Sequence, residues 1–299
     1  MIIGQNISKA FEKEKVLDNV SLRVGEGSIY GLLGSNGAGK TTLLKILSGI
    51  IGQDDGEVTL NGQQVFENPS VKSEMLFLSD ALYFLPQYSV SQMASYFAEM
   101  YPTWNEERYK KLKELFGLNT KKKIGQFSKG MQRQVAFWLA LSATPKYLIL
   151  DEPFDGLDPV IRRRVKNLLI QDVAERGMSI LISSHNLREV EDICDYVGIL
   201  HRGTLLLERD LDDLKSDVHK VQVAYKGDAD ESIWGDLDIL HKETRGSVLL
   251  FIVRGNEAEV TARFKSHHPV VFDLLPLTLE EIFVYEMGGA GYAIENILV

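Results

Sequence analysis

An eight-residue run that begins at Gly34 constrains the fold of this chain more than any other feature. The run Gly34-Ser-Asn-Gly-Ala-Gly-Lys40-Thr41 fits the pattern G-x-x-x-x-G-K-S/T. The compact apolar segment 28–33 precedes it and predicts a buried strand, whereas the residues from Lys40 to Leu47 have helical spacing. A strand, a glycine-rich loop and a helix in this order predict an α/β fold with a phosphate-binding loop at a strand end.

The residue types of this loop suit a nucleoside triphosphate. Glycines let the backbone form a concave nest of N–H groups, and the following helix adds the partial positive charge of its N-terminus. Lys40 supplies a mobile charge for the β- and γ-phosphates, and the Thr41 hydroxyl is a ligand for Mg²⁺. A GTPase would normally add Asn-Lys-x-Asp, which is absent, and a small-molecule kinase remains an alternative at this point. The predicted nucleotide contacts are Gly34, Ser35, Asn36, Gly37, Ala38, Gly39, Lys40, Thr41 and Thr42.

Two acids follow a second apolar segment, Tyr147-Leu-Ile-Leu, which predicts another buried strand. The strand brings Asp151 to the carboxyl edge of the sheet beside the phosphate loop, where a carboxylate can hold Mg²⁺ through its water shell. Glu152 is then placed to orient or deprotonate an attacking water. We therefore predict Asp151 as a metal ligand and Glu152 as a catalytic base.

A second helix start has features that suit phosphate binding. In the segment Phe127-Ser-Lys-Gly-Met131, Ser128 is typical of a helix N-cap, and Gly130 keeps the first turn clear of side chains. Because the chain already has one phosphate loop, a second and weaker site predicts that ATP is shared between two copies. The predicted contacts across this interface are Ser128, Lys129, Gly130 and Met131.

The order of these motifs resembles the ATP-binding subunits of ABC transporters, over residues 1 to about 215. The segment Phe127–Met131, called the signature segment below, is similar to the Ser-Lys-Gly-Met form of the family signature in many ABC-2-type exporters. Phe154-Asp-Gly-Leu-Asp158 resembles the D-loop, and Ser183-Ser184-His185 resembles the switch-histidine loop. The stretches FSKGMQRQVAFWLALS and DLDDLKSDVHKVQVAY are similar to bacterial ATPases of the YtrB type.

The resemblance implies further site residues. Phe11 takes the place of the aromatic that stacks on adenine, with Val16 packing beside it, and Asp158 contacts nucleotide from the D-loop. His185 would hydrogen-bond the γ-phosphate and hold the water with Glu152. One position departs from the family, because Asp80 stands where Gln or Glu is usual. Its shorter carboxylate would still touch Mg²⁺ through water, which makes Asp80 a third metal candidate with Thr41 and Asp151.

The rest of the chain organises around this cassette. The expected fold class is α/β, a P-loop ABC cassette at 1–215 with a mixed-sheet core and a helical subdomain at about 89–145. The charged stretch Asp210–Asp217 is predicted as a link, and a change of pattern beyond it predicts a small α+β domain at 218–299.

Charge and hydropathy restrict the partners. With 33 basic and 42 acidic residues the net charge is −9, which disfavours nucleic acid. The longest apolar run is too short to cross a bilayer. The resemblance implies a homodimer, or a heterodimer with a paralogous ATPase subunit, that uses ATP and Mg²⁺. It also implies membrane-spanning permease subunits that hold the chain at the cytoplasmic face of the cell membrane.

The resemblance implies that a permease helix docks near the apolar, aromatic loop 82–88, which suits a groove receiving a helix. Ordinary internal packing of this loop is the alternative. Two alternative functions of the chain remain open at this point. One is a soluble ABC ATPase acting on a nucleic-acid or ribosomal machine, and the other is a nucleotide-gated regulatory module with little turnover.

Overall fold

The structure, a computed structural model, describes residues 1–85, 87–226 and 233–289. It divides into two compact units, the first spanning residues 1–208 and the second beginning at Arg209. Position 86 of the predicted docking loop lies outside the described residues, as do positions 227–232 and 290–299 of the predicted C-terminal domain.

The first unit contains both strands and helices, and its last strand extends two residues beyond Glu208. Its elements are β1 (Ile2–Phe11), β2 (Glu14–Val24), β3 (Ile29–Leu33), α1 (Lys40–Leu47), β4 (Asp55–Leu60), β5 (Gln63–Gln64), α2 (Pro69–Lys72), β6 (Met75–Leu78), α3 (Val90–Met100), α4 (Glu106–Phe116), α5 (Lys129–Ser142), β7 (Tyr147–Asp151), α6 (Pro159–Arg176), β8 (Ser179–Ser184), α7 (Leu187–Glu191), β9 (Tyr196–His201) and β10 (Thr204–Asp210).

Two sheets form the core of this unit, as expected for a mixed-sheet cassette. An antiparallel sheet has the order β2-β1-β4-β5, and a six-stranded sheet has the order β10-β9-β3-β8-β7-β6. Strands β9, β3, β8, β7 and β6 are mutually parallel, and every residue of β3, β7 and β8 is buried. Because parallel strands end at the same edge, the loops after β3, β7 and β8 meet there.

Helices α3, α4 and α5 occupy the region between β6 and β7 that was predicted to be helical. Ser89 and Gln92 form a capping box at the start of α3, which satisfies backbone N–H groups that the helix itself cannot pair. Trp138 of α5 stacks on Tyr109 of α4 at 4.8 Å between ring centroids. Its indole Nε1 donates to the Tyr109 carbonyl oxygen at 2.9 Å, so the buried indole keeps its hydrogen bond.

Two sequence-based expectations were wrong. The helix expected from Leu187 to Cys194 ends at Glu191, because Asp195 exchanges two hydrogen bonds with Ile29 and turns the chain into β9. The expected link at Asp210–Asp217 contains a helix, α8 (Leu211–Ser216). The carboxylate of Asp210 accepts from two backbone N–H groups of its first turn, so the charged stretch supplies its own N-cap.

The second unit is an α+β assembly on an antiparallel sheet. Besides α8 its elements are β11 (Val218–Ala224), β12 (Asp238–Arg245), β13 (Val248–Arg254), α9 (Glu257–Lys265), β14 (Val271–Leu275) and α10 (Leu279–Gly289). The strand order is β12-β13-β11-β14, and Val221, Phe251 and Phe264 lie in its core. Strand β12 and helix α10 were not predicted. Among the residues that the structure describes, no helix has the length and apolar character needed to cross a bilayer.

Candidate active site

The loop from Gly34 to Gly39 joins β3 to α1 in the predicted manner. Gly37 and Gly39 have positive φ angles of 80° and 105°, which side chains rarely tolerate. A Cβ atom on Gly39 would also lie 2.9 Å from the carbonyl oxygen of Val16, so glycine is required there on two grounds. The loop can therefore curl tightly at the N-terminus of α1.

Lys40 is folded back into this loop. Its ammonium Nζ donates to the carbonyl oxygens of Gly34 at 2.6 Å and Ser35 at 3.3 Å. It also lies 3.3 Å from Glu152 Oε1, and only 6% of the side chain is exposed. The lysine thus spans the phosphate loop and the acid predicted as base.

The carboxylate of Asp151 is buried and bound by two hydroxyl groups. Thr41 Oγ1 donates to Asp151 Oδ2 at 2.9 Å, and Ser183 Oγ donates to Asp151 Oδ1 at 2.7 Å. Asp151 of β7 and Ser183 of β8 stand side by side in the strand register. No site role was predicted for Ser183 from the sequence, although its position at the end of a strand next to that of Asp151 was the available signal.

Glu152 is held from several directions. Its backbone lies in the left-handed region, with φ of 44°, and its amide N–H donates to Ser183 Oγ at 3.0 Å. Carboxylate Oε2 lies 2.9 Å from His185 Nδ1 and accepts from the His185 backbone N–H at 3.3 Å. The structure therefore brings both predicted catalytic side chains together with Lys40.

These contacts surround a cavity of about 290 Å³. It is lined by Val16, Ser35, Asn36, Gly37, Gly39, Lys40, Thr41, Thr42, Asp80 and Glu152. Gly34 and Ala38 complete the loop without lining the cavity. Phe11 lies outside the lining, half-exposed at the end of β1, where it pairs with Glu14. Its stacking on adenine stays a prediction.

Side chains that could ligate a metal ion are present in two groups, and Mg²⁺ prefers oxygen ligands. The predicted pair, Thr41 and Asp151, already share a hydrogen bond, and Asp80 borders the same cavity. A second group consists of Glu152, Asp155 and His185, whose ligand atoms lie within 4.8 Å of one another. Hard oxygen atoms from a hydroxyl and a buried carboxylate make the first group the better match for Mg²⁺.

The signature segment is not among the residues that line this cavity. Ser128 caps α5, with its hydroxyl accepting from the Met131 backbone N–H at 3.3 Å, and both Ser128 and Lys129 are exposed. A Cβ on Gly130 would lie 2.5 Å from the carbonyl oxygen of Gly156, so this glycine also permits close packing on the D-loop of the same chain. That packing is a second reason for glycine, which the sequence alone did not reveal.

Asp158, predicted to contact nucleotide, serves in this structure as the N-cap of α6. Its Oδ1 accepts from the backbone N–H groups of Val160 and Ile161, each at 3.0 Å. A contact to nucleotide stays a prediction for this residue.

Arg133 is a further site residue that the sequence analysis missed. Its Nη1 donates to the carbonyl oxygen of Glu152 at 2.6 Å. Its Nη2 donates to the backbone carbonyl oxygen and to Oδ1 of Asp80, both at 2.9 Å. A charged residue two positions ahead of the apolar run of α5 was the available signal, but the distant partners were not visible in the sequence.

We expect Ser183→Ala to lower the free energy of unfolding by about 1–3 kcal/mol, because it leaves the buried Asp151 carboxylate short of a donor. Urea denaturation checks this against Ser95→Ala, whose hydroxyl bonds only the Ser91 carbonyl on the exposed side of α3. Equal midpoints for the two variants would contradict the structural role of Ser183.

Known proteins are similar to this chain along nearly its whole length. Residues 17–155 match the family model described as ABC transporter. Over 289 residues the chain is 33% identical to the ABC transporter ATP-binding protein YtrB of Bacillus subtilis (strain 168), covering 97% of this chain and 99% of the relative. The chain belongs to the ABC transporter ATP-binding proteins. The family resemblance predicted from the motifs is thereby confirmed.

Other comparisons agree that this ABC ATPase belongs to the family. It is 31% identical to the bacitracin transport ATP-binding protein BcrA of Bacillus licheniformis, over 95% of this chain and 96% of the relative. A solved ATP-binding subunit of an ABC transporter aligns with a TM-score of 0.67 and 27% identity, covering 72% of this chain and 92% of that one. The predicted P-loop ABC fold and the predicted ATPase activity are confirmed, and the alternative of a nucleic-acid or ribosomal machine is not supported.

Proposed function

We propose that this ABC ATPase powers a bacterial ABC-2-type exporter by closing head to tail with a second ATPase subunit over two ATP molecules. The observation that carries the proposal is that Lys40, Thr41 and Glu152 line one cavity. Asp151 is hydrogen-bonded to Thr41, and His185 to Glu152, at its border. Residues 1–215, including the helical subdomain at 89–145, would act as the cassette. Residues 218–299 would form an accessory domain.

Nucleotide binding changes the contacts of Lys40 in this mechanism. Phosphate oxygens accept from the backbone N–H groups of the loop and attract the ammonium of Lys40 away from Glu152. Glu152 is then free to accept a proton from the attacking water, while His185 holds the carboxylate in place. Thr41 and Asp151 would hold Mg²⁺, which when bound neutralises phosphate charge.

The partner subunit completes the site. Ser128 and Lys129 are exposed at the N-terminus of α5. The partial positive charge and free N–H groups of this helix end suit the γ-phosphate of the ATP bound to the other protomer. Phe11 and Val16 would contact the adenine, and Asp158 would contact the nucleotide from the D-loop. Closure excludes water and aligns the reacting groups, and hydrolysis reopens the dimer by charge repulsion.

A membrane partner is supported by an apolar groove of about 370 Å³ in the first unit. The groove lies between β6, the loop that follows it and helix α3. Aliphatic and aromatic residues make up nearly all of its lining, and Tyr83 is 82% exposed. The aromatic residues of the lining are Phe77, Tyr83, Phe84, Tyr96, Phe97 and Tyr101. Such a groove suits the apolar face of a helix from a permease subunit, which would hold the ABC ATPase at the cytoplasmic face of the membrane.

The similarity to a bacitracin transport protein along nearly the whole chain supports the exporter class. The net charge of −9 supports a protein partner rather than nucleic acid.

The membrane partnership is tested by fractionating cells that express the tagged ABC ATPase. Wild type is expected in the membrane fraction together with a multi-span protein. Tyr83→Glu is expected in the supernatant, because a docking helix would bury the new charge in an apolar groove. Its ATPase activity should stay within about twofold of wild type. Tyr196→Glu, an exposed tyrosine outside the groove, serves as the matched control. Sedimentation of Tyr83→Glu with the membranes would count against the groove.

A further inference from the structure

The guanidinium of Arg133 joins two loops that border the nucleotide cavity. Its three hydrogen bonds reach the Glu152 carbonyl oxygen at 2.6 Å and two oxygens of Asp80 at 2.9 Å each. Only 12% of the arginine side chain is exposed, whereas 56% of the Asp80 side chain is exposed. The guanidinium is therefore shielded from solvent, whereas the carboxylate of Asp80 faces solvent.

Glu152 needs external support for its backbone. Its φ of 44° lies in the left-handed region, which costs free energy for a residue with a Cβ atom and persists only where surrounding contacts hold it. The amide N–H before its side chain is bound by Ser183, and the carbonyl after it is bound by Arg133. The two hydrogen bonds hold the peptide groups on either side of Glu152, and so restrict the direction in which its side chain leaves the backbone.

Asp80 is engaged rather than free. Its Oδ1 forms an ion pair with Arg133, and its backbone carbonyl accepts from the same Nη2 atom. A carboxylate at this position thus matches an arginine at 133, one turn beyond the cap of α5. This match gives Asp80 a partner within the chain at the position where the family usually has Gln or Glu.

We propose that Arg133 is a positioning residue that fixes the Glu152 backbone for ATP hydrolysis, and that Asp80 anchors this arginine instead of ligating Mg²⁺. The proposal rests on the function of Glu152 proposed above. Arginine suits the task because its planar fork donates to two separate acceptors, whereas a lysine offers one compact charge. Because Arg133 belongs to α5, any displacement of the signature segment is transmitted to Glu152 and Asp80.

The test is a set of four proteins: wild type, Arg133→Gln, Asp80→Ala and the double variant. For each we would measure kcat and KM for ATP, the Mg²⁺ concentration at half-maximal rate, and the thermal unfolding midpoint. Arg133→Lys is a second probe that retains charge without the fork. Arg164→Gln is the matched control, since Arg164 donates to the Leu115 carbonyl oxygen away from the cavity.

Arg133→Gln is expected to lower kcat about 10- to 100-fold with KM within about threefold, because Glu152 is misplaced while the phosphate loop is intact. Arg133→Lys should recover little of this loss. Asp80→Ala should lower kcat about 3- to 10-fold in wild type and have no further effect in Arg133→Gln. The Mg²⁺ midpoint should stay within about twofold in all four proteins, and Arg164→Gln should match wild type.

Two results would overturn the proposal. Wild-type kcat in a folded Arg133→Gln protein would remove the positioning role. A roughly tenfold rise in the Mg²⁺ midpoint on Asp80→Ala, equal in both backgrounds, would make Asp80 a metal ligand instead. Failure of the proposed function itself shows elsewhere, as wild-type turnover in Glu152→Gln, and the four-protein comparison still decides whether Asp80 and Arg133 act together.

Discussion

Glu152→Gln is expected to slow ATP turnover by a factor of about 10²–10⁴ while ATP still binds within a few-fold of wild type. Glutamine keeps the volume of the side chain and an oxygen for His185, but it does not accept a proton from water. Its loss of charge also removes the ion pair with Lys40, so nucleotide no longer competes with Glu152 for the ammonium. Phosphate release and equilibrium binding of ATP provide the two measurements.

Glu175→Gln is the control for this substitution, because Glu175 lies exposed on α6, where its carboxylate accepts only from Gln171. It should hydrolyse ATP at the wild-type rate. Phosphate release at a near-normal rate from Glu152→Gln would remove Glu152 as the general base.

Ser128→Arg, introduced into Glu152→Gln, is expected to abolish ATP-dependent dimer formation while one protomer still binds ATP. Ser128 caps α5 and is exposed. The arginine removes this cap and places a bulky side chain where the other protomer's ATP is expected to bind. Its own phosphate loop is untouched, because Ser128 does not line that cavity. Gel filtration with ATP should show a dimer for Glu152→Gln and a monomer for the double variant.

Ser95→Arg in the same background controls for the added charge, since Ser95 lies on the exposed side of α3. It should leave the dimer intact. A stable dimer of the Ser128→Arg double variant would rule out a nucleotide site shared between protomers.

The local features of the site could be read from the sequence because each depends on neighbouring residues. The glycines at 37 and 39 need positive φ, and Lys40–Leu47 has helical spacing, so strand, loop and helix were predicted where they occur. Ser128 was predicted as an N-cap for the same reason. By contrast, β12 was missed because its many charged and polar residues resemble a solvated segment until β13 pairs with it.

The contacts that join distant segments required the folded chain. Asp151 and Ser183 meet because β7 and β8 are adjacent in register, which no local pattern states. Arg133 reaches Asp80 and Glu152 only because α5 packs beside both loops.

From the sequence alone we could predict a phosphate loop, two acids at a strand end and a capped second helix, since turn geometry and capping depend on residues next to one another. Only the folded chain shows that Lys40 forms an ion pair with Glu152, that Ser183 donates to Asp151 and that Arg133 binds Asp80. These contacts depend on strand order and helix packing, which arise from the burial of the whole core and not from any single segment.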